Sequence, residues 1–147
     1  MARDPTSDTS AVEALRSKGY KATPQRIAIC QIALKSKAHP SAQRVYEEVK
    51  KVYPTVSLAT VYKTLEVLRE LDLVQEINSP KGQARFDPNV SPHINLICLK
   101  CDRITDLDDI TVEEITSKVA AATDFKPAGK HMDVYGICGR CSAAKYH

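Results

Sequence analysis

The sequence lacks the features of several protein classes. It has no tryptophan, and its 5 glycines and 8 prolines in 147 residues are too few for a fibrous or low-complexity chain. No apolar run approaches the ~20 residues of a membrane-spanning helix, and the first eight residues carry no apolar signal-peptide core. With 43% hydrophobic and 27% charged residues, the composition predicts a globular, cytoplasmic protein of one domain or two small ones.

The net charge of +3 is distributed unevenly along the chain. Residues 1–87 carry 14 basic and 10 acidic side chains, whereas residues 88–147 carry 7 and 8. Residues 16–51 contain nine lysines and arginines and only two acidic residues. Such a basic block is typical of a segment that binds a polyanion, and a solvated helical surface explains the charge equally well.

Cap signals predict helices in the first half of the chain. Thr23, Ser41 and Ser57 each precede an apolar series at helical spacing, and a shorter helix is expected from about residue 10 to residue 19. Two short β-like runs joined by a turn follow the last helix, at residues 73–77 and 83–86. Several helices followed by a hairpin is the order of a winged helix-turn-helix.

Two side chains in these helices have specific expected positions. Cys30 shares an apolar stripe with Ile27 and Leu34, which predicts a small buried core residue rather than a reactive thiol. Val52 continues the apolar series that starts after Ser41, and it is expected to face inward. Both positions test whether helical periodicity locates the core.

The second half of the chain predicts a small α/β domain. Residues 88–92 contain two prolines and no periodicity, which indicates a hinge between domains at residues 1–87 and 93–147. The expected elements of the second domain are strands at 93–98 and 103–107, a helix at 111–122 and a strand at 131–137. Because so short a unit has little core, a metal ion and a partner subunit are both expected to stabilise it.

Four of the five cysteines form two Cys-x-x-Cys pairs, Cys98 with Cys101 and Cys138 with Cys141. Two such pairs complete a tetrahedral zinc site of four thiolates, and a closed shell of this kind is structural rather than catalytic. Four buried or redox-active thiols are the alternative interpretation.

The helix that follows Ser57 carries candidate DNA-binding side chains. Ser57, Thr60, Tyr62 and Lys63 offer hydroxyls, an aromatic face and a cation, which suit phosphate positioning and base contacts in a major groove. Lys21, before the second helix, is a candidate for a phosphate or minor-groove contact. An exposed helix face without any ligand accounts for the pattern equally well.

The remaining polar candidates are scattered along the chain. Residues 93 and 95 share one face of a strand, because side chains alternate, but spacing alone does not assemble the set into one site. Each also has an ordinary structural role available, such as a cap or an ion pair. These candidates are His39, Asp87, His93, Asn95, Asp106 and His131.

Taken in order, several motifs resemble those of the ferric uptake regulator superfamily over roughly residues 12–142. The resemblance implies a dimeric, metal-dependent transcriptional repressor with an N-terminal winged-helix domain, a C-terminal dimerisation domain and a two-fold symmetric DNA operator. The matching stretches are Thr23-Pro24-Gln25-Arg26, His39-Pro40-Ser41-Ala42, residues 57–65, Arg85-Phe86-Asp87, residues 93–101 and residues 135–141.

The resemblance also implies two metal sites. One is the structural zinc, one per chain. The other is a regulatory Fe²⁺ or Mn²⁺ site at the hinge, where Asn95 departs from the family's usual histidine and provides a harder amide oxygen. The implied regulatory ligands are His39, Asp87, His93, Asn95 and Asp106.

Aspartate at positions 87 and 106, together with His39 and His93, resembles the peroxide-responsive branch of the superfamily. That branch implies that peroxide reacts with the bound ferrous ion, a histidine gains oxygen and DNA is released. One alternative is an iron, manganese or zinc uptake regulator without peroxide sensing. A metalloenzyme and a zinc-ribbon module without DNA binding are two others, and the sequence shows no further acid/base pair or nucleophile that favours an enzyme.

Overall fold

A computed structural model describes residues 7–107, 110–128 and 131–144. The described residues form two compact units. The first comprises those within Met1–Asn78 and Gly82–Val90, and the second those within Ser79–Lys81 and Ser91–His147. The passage from Val90 to Ser91 lies within residues 88–92, and the role of that segment as a hinge stays a prediction.

The first unit contains four helices and a two-stranded antiparallel sheet, in the order expected for a winged helix-turn-helix. Strand β1 pairs with β2, and Glu76 lies opposite Phe86 in the register. The elements are α1 (Asp8–Ser17), α2 (Pro24–Lys35), α3 (Ala42–Lys50), α4 (Leu58–Glu70), β1 (Gln75–Asn78) and β2 (Ala84–Asp87).

The predicted helix starts of α2, α3 and α4 are confirmed by their caps. The side chains of Thr23, Ser41 and Ser57 each accept a hydrogen bond from the backbone N–H three residues further on. Ser7 caps α1 in the same way. Each cap satisfies a donor that the first helical turn leaves without a partner.

The core of the first unit forms where the apolar faces of α1–α4 and β2 meet. Cys30 is fully buried there, as expected, and burial raises the pKa of its thiol from 9.0 to about 12. The expectation for Val52 is wrong, because this side chain is 70% exposed. Helix α3 ends at Lys50, so the helical periodicity no longer decides the direction of residue 52.

The second unit is a three-stranded sheet with two helices. Strand β3 lies in the centre, antiparallel to β4 and parallel to β5. Helix α5 begins with a capping box formed by Thr111 and Glu114. The elements are β3 (His93–Cys98), β4 (Ile104–Leu107), α5 (Val112–Ala122), β5 (His131–Gly136) and α6 (Gly139–Ala144).

The predicted fold class is confirmed: it is α+β, with helices and a hairpin followed by a small α/β unit. The predicted elements differ from the observed ones by no more than two residues at their ends. Helix α6, which begins at Gly139, was not expected from the sequence. Within the part of the chain that the structure describes, no helix has the length and apolar character needed to cross a membrane.

Candidate metal centres and nucleic-acid interface

The four paired cysteines come together at one end of the second sheet. Cys98 ends β3, and its register partner on the parallel strand β5 is Gly136. The chain therefore leaves β5 beside Cys98, and Cys138 follows two residues later. The four Sγ atoms all lie within 4.8 Å of one another, and those of Cys101 and Cys138 are 3.8 Å apart. A regular tetrahedron with Zn–S bonds of ~2.3 Å has S–S edges of ~3.8 Å, so the thiols fit a zinc ion.

Three backbone N–H groups stabilise the thiolate form of Cys98. The N–H groups of Lys100, Cys101 and Cys138 approach its Sγ at 3.4, 3.5 and 3.3 Å. These hydrogen bonds, that of Cys101 foremost, lower the pKa of Cys98 from 9.0 to about 5. The hydrogen bonds therefore favour the thiolate form of Cys98, which is the form that binds metal.

In the first unit, His39 and Asp87 form a buried pair. His39 Nε2 lies 3.3 Å from Asp87 Oδ2, and the two side chains are 7% and 5% exposed. His39 has a φ of 49°, a left-handed conformation that costs a non-glycine residue about 1–2 kcal/mol. Imidazole and carboxylate are both ligands for divalent transition metals.

Contacts between β2 and the residues just before α3 hold His39 in this conformation. The Phe86 N–H donates to the carbonyl of Pro40 at 2.9 Å, and Ser41 forms an isolated bridge with Arg85. The Arg85 guanidinium also donates to the carbonyls of His39 and Ala38. The main chain on either side of His39 is thereby tied to β2, which carries Asp87.

In the second unit, His93 and Asp106 form a similar pair. His93 Nε2 lies 3.8 Å from Asp106 Oδ1, and the side chains are 7% and 35% exposed. The other ring nitrogen, Nδ1, is 2.7 Å from the carbonyl oxygen of Ser91. A hydrogen bond from Nδ1–H to that carbonyl leaves Nε2 as the atom that can ligate a metal.

Asn95 lies beside this pair, at the centre of the sheet. It is fully buried, its register partner on β4 is Asp106, and its Nδ2 donates to Asp133 Oδ1 at 3.1 Å. Its Oδ1 has no hydrogen-bond partner among the described residues. The sequence analysis missed Asp133, because only the parallel pairing of β3 with β5 reveals that it neighbours Asn95.

The candidate DNA-binding side chains lie around the N-terminus of α4 and before α2. Ser57 Oγ accepts from the Thr60 N–H at 3.1 Å, so its first role is to cap α4. Tyr62 is 54% exposed, and Lys63 and Lys21 are also exposed. The aromatic ring and the two cations are accessible to a ligand such as DNA.

His131 does not belong to either histidine–carboxylate pair. Its Nε2 lies 3.9 Å from Asp133 Oδ2, on the same strand.

Proteins similar to this chain are regulators whose names refer to iron uptake or to peroxide. The ferric uptake regulator family model matches residues 17–135. The peroxide operon regulator of Bacillus subtilis is 36% identical over 137 residues, which are 93% of this chain and 94% of that protein. The chain therefore belongs to the ferric uptake regulator family, whose members are transcriptional regulators and not enzymes.

Solved structures show the same relationship. The Campylobacter jejuni peroxide stress regulator is 34% identical, with a TM-score of 0.68 over 88% of this chain and 98% of that one. The Helicobacter pylori ferric uptake regulator, described as having three functional metal-binding sites, gives a TM-score of 0.79 over 96% and 97%. At 21% identity, the latter similarity concerns the fold alone.

Proposed function

We propose that this protein is a homodimeric, metal-dependent DNA-binding repressor that responds to peroxide. The family supports the regulatory role. The peroxide response is supported by two similar proteins, the peroxide operon regulator of Bacillus subtilis and the peroxide stress regulator of Campylobacter jejuni. Residues 1–87 act as the DNA-binding domain, residues 88–92 as the hinge and residues 93–147 as the dimerisation domain.

The regulatory ion in this proposal is Fe²⁺ or Mn²⁺. The observation that carries the proposal is that each unit holds its own histidine–carboxylate pair, in which both histidines and Asp87 are buried. The buried Oδ1 of Asn95 supplies a further oxygen that needs a partner. This set of imidazole and oxygen donors suits Fe²⁺ and Mn²⁺. The proposed ligands are His39, Asp87, His93, Asn95 and Asp106.

Ligands from two units make the ion a conformational effector. An ion that all five side chains ligate favours the interdomain arrangement that brings them together, and it shifts the equilibrium only by its differential affinity for that arrangement. A bound ferrous ion supplies the redox chemistry by which peroxide oxidises a neighbouring histidine. An oxidised His39 is a poorer ligand, so the first unit is released from the DNA-binding arrangement.

The four-thiol cluster holds the structural zinc of the proposal. A shell of four thiolates leaves no open coordination position, so this ion stabilises the second unit and has no catalytic role. The ligands are Cys98, Cys101, Cys138 and Cys141.

Exposed apolar side chains of the second unit support the homodimer. Phe125 is 66% exposed, and Val134, Tyr135 and Ile137 are 50%, 46% and 51% exposed. Several large exposed apolar side chains in so small a unit favour coverage of part of its surface by a partner subunit. Two winged helices in a dimer then bind a two-fold symmetric operator. The proposed DNA contacts are Lys21, Ser57, Thr60, Tyr62 and Lys63.

The test uses protein purified without oxygen, with a DNA site selected from a random library by the manganese-loaded protein. We expect His39→Ala to abolish manganese-dependent binding to this site while zinc content and dimerisation stay unchanged. In the iron-loaded protein, peroxide should release the DNA and add one oxygen atom to a peptide containing His39 or His93. The manganese-loaded protein treated with the same peroxide is the control, and its peptides containing His39 and His93 should stay unmodified.

Two outcomes would contradict parts of this proposal. Release of DNA by peroxide with both histidines unmodified would leave a metal-responsive uptake regulator and exclude histidine oxidation as the switch. Operator binding by His39→Ala that still depends on manganese would remove His39 from the regulatory site.

A further inference from the structure

We infer that Asp133 is a positioning residue, which fixes the Asn95 amide so that Oδ1 is the atom presented to the regulatory ion. The inference deepens the proposed function and rests on it. It assigns a role to a residue that lies outside the proposed set of ligands. It also explains how an asparagine acts as a defined ligand rather than as an amide that rotates between two orientations.

The first step concerns the contact between the two side chains. Asn95 and Asp133 are register partners on the parallel strands β3 and β5, and Asn95 Nδ2 lies 3.1 Å from Asp133 Oδ1. An ionised carboxylate accepts hydrogen bonds and cannot donate one. Only the NH₂ group of Asn95 can therefore face Asp133, because a flipped amide would place two oxygens in contact.

The second step concerns what is left of the amide. With Nδ2 turned towards Asp133, Oδ1 points away from it, and Oδ1 is a buried acceptor without a partner among the described residues. Such an acceptor carries an unrecovered desolvation cost. The register partner on the other side, Asp106, is a carboxylate that cannot donate when ionised. A bound cation supplies the missing partner for Oδ1.

The third step concerns the carboxylate itself. Asp133 and His131 lie on the same face of β5, because they are two residues apart. His131 Nε2 is 3.9 Å from Asp133 Oδ2, the oxygen that Asn95 does not use. Asn95 therefore makes the hydrogen bond to one carboxylate oxygen, and His131 lies near the other oxygen at a distance too long for a hydrogen bond.

A fixed amide oxygen also affects the choice of metal. Carbonyl oxygen suits Mn²⁺ better than it suits Zn²⁺, which prefers imidazole and thiolate. Loss of the orientation should therefore weaken Mn²⁺ binding more than Zn²⁺ binding at the regulatory site. A general loss of folding would weaken both.

The experiment measures Mn²⁺ affinity of the full chain with the thiol site loaded with zinc, using the electron paramagnetic resonance signal of free Mn²⁺. Asp133→Asn replaces a carboxylate that can only accept with an amide that can accept or donate, so the Asn95 amide is no longer held in one orientation. We expect binding that is weaker by up to about tenfold, the lower end of the usual effect of losing a group that orients a ligand. Asp124→Asn is the matched control, since Asp124 is an exposed carboxylate beyond α5, and its affinity should equal that of the unchanged protein.

Two double variants distinguish positioning from a structural role. In the exchanged pair, Asn95→Asp with Asp133→Asn, the amide at position 133 donates to one oxygen of the carboxylate at position 95. The other oxygen is then available to the ion, so affinity should recover to within about threefold of the unchanged protein. In an Asn95→Ala background, Asp133→Asn should cause no further loss.

Undiminished Mn²⁺ affinity in Asp133→Asn would overturn the inference alone and leave the proposed function in place. The same loss with and without Asn95 would also overturn it, because Asp133 would then not act through Asn95. An unchanged protein that binds no Mn²⁺ beyond the thiol site would overturn both the proposed function and the inference.

Discussion

Replacing one proposed zinc ligand should destabilise the second unit and leave the first unit folded. The change is Cys141→Ser, which removes the thiol that α6 contributes to the four-thiol cluster. We expect the protein to lose its zinc and the second unit to lose its cooperative structure, because the segment after β5 is no longer anchored to Cys98 and Cys101. The first unit should stay folded, since it has its own core of helices.

The size of the effect follows from how little apolar core the second unit has. Its buried aliphatic side chains, among the described residues, are Ile94, Ile97, Ile104 and Val112. At ~1.5–3 kcal/mol for each fully buried side chain, these contribute about 6–12 kcal/mol before any entropic cost. A structural zinc ion contributes ~10–16 kcal/mol in small zinc domains. The free energy that a structural zinc ion contributes is therefore as large as that of the whole aliphatic core of this unit.

The assay combines zinc analysis with hydrogen exchange. Amides of β3 and β5 should lose protection in Cys141→Ser, whereas those of α2 and α4 should keep it. Ser142→Ala is the control, because Ser142 is the adjacent, exposed position on the same helix. A full complement of zinc in Cys141→Ser, together with unchanged protection in β3 and β5, would refute the assignment of Cys141 as a ligand.

Two further predictions concern the first unit. Tyr62→Ala should weaken binding to the selected operator more than binding to random DNA, and equal losses on both DNAs would instead make Tyr62 a contact to the DNA backbone. Lys21→Ala should weaken binding to both DNAs and reduce the dependence of log affinity on log salt concentration. Cys30→Ala should reduce the loss of stability at alkaline pH, measured by denaturant unfolding of the zinc-loaded protein. The folded thiol has a pKa of about 12 against 9.0 in the unfolded chain. Between these pH values, Cys30 therefore lowers the free energy of unfolding by about 1.4 kcal/mol for each unit by which the pH rises. An identical pH dependence in Cys30→Ala would contradict this prediction.

Local signals predicted most of the fold. The caps Thr23, Ser41 and Ser57 are correct because a serine or threonine hydroxyl accepts a backbone N–H in an arrangement that depends on only four residues. The burial of Cys30 follows from the helical period for the same reason. Val52 failed because the period carries information only while the helix continues, and nothing in the apolar pattern marks the end of α3 at Lys50.

The candidate sites were predicted less completely, because they depend on pairing between distant segments. The Cys-x-x-Cys spacing carries its own chemistry, so the thiol cluster could be proposed without a structure. Asp133 has no such signal: it becomes relevant only through the parallel pairing of β3 with β5, which places it beside Asn95 across 38 residues of chain. The left-handed φ of His39 is likewise invisible in a His-Pro sequence, since residues before proline are usually extended.

The proposed switch depends on neither unit holding a complete metal site. Of the five proposed ligands, the first unit holds His39 and Asp87 and the second holds His93, Asn95 and Asp106, so each unit by itself offers only part of the set. In the proposed switch, the free energy gained when both sets ligate one ion favours the DNA-binding arrangement, and this gain is lost when one histidine can no longer ligate. Because such coupling is reciprocal, operator DNA must tighten metal binding by the same factor by which the metal tightens operator binding. In the proposed switch, a repressor on its operator therefore retains its ion at metal concentrations where the free protein releases it.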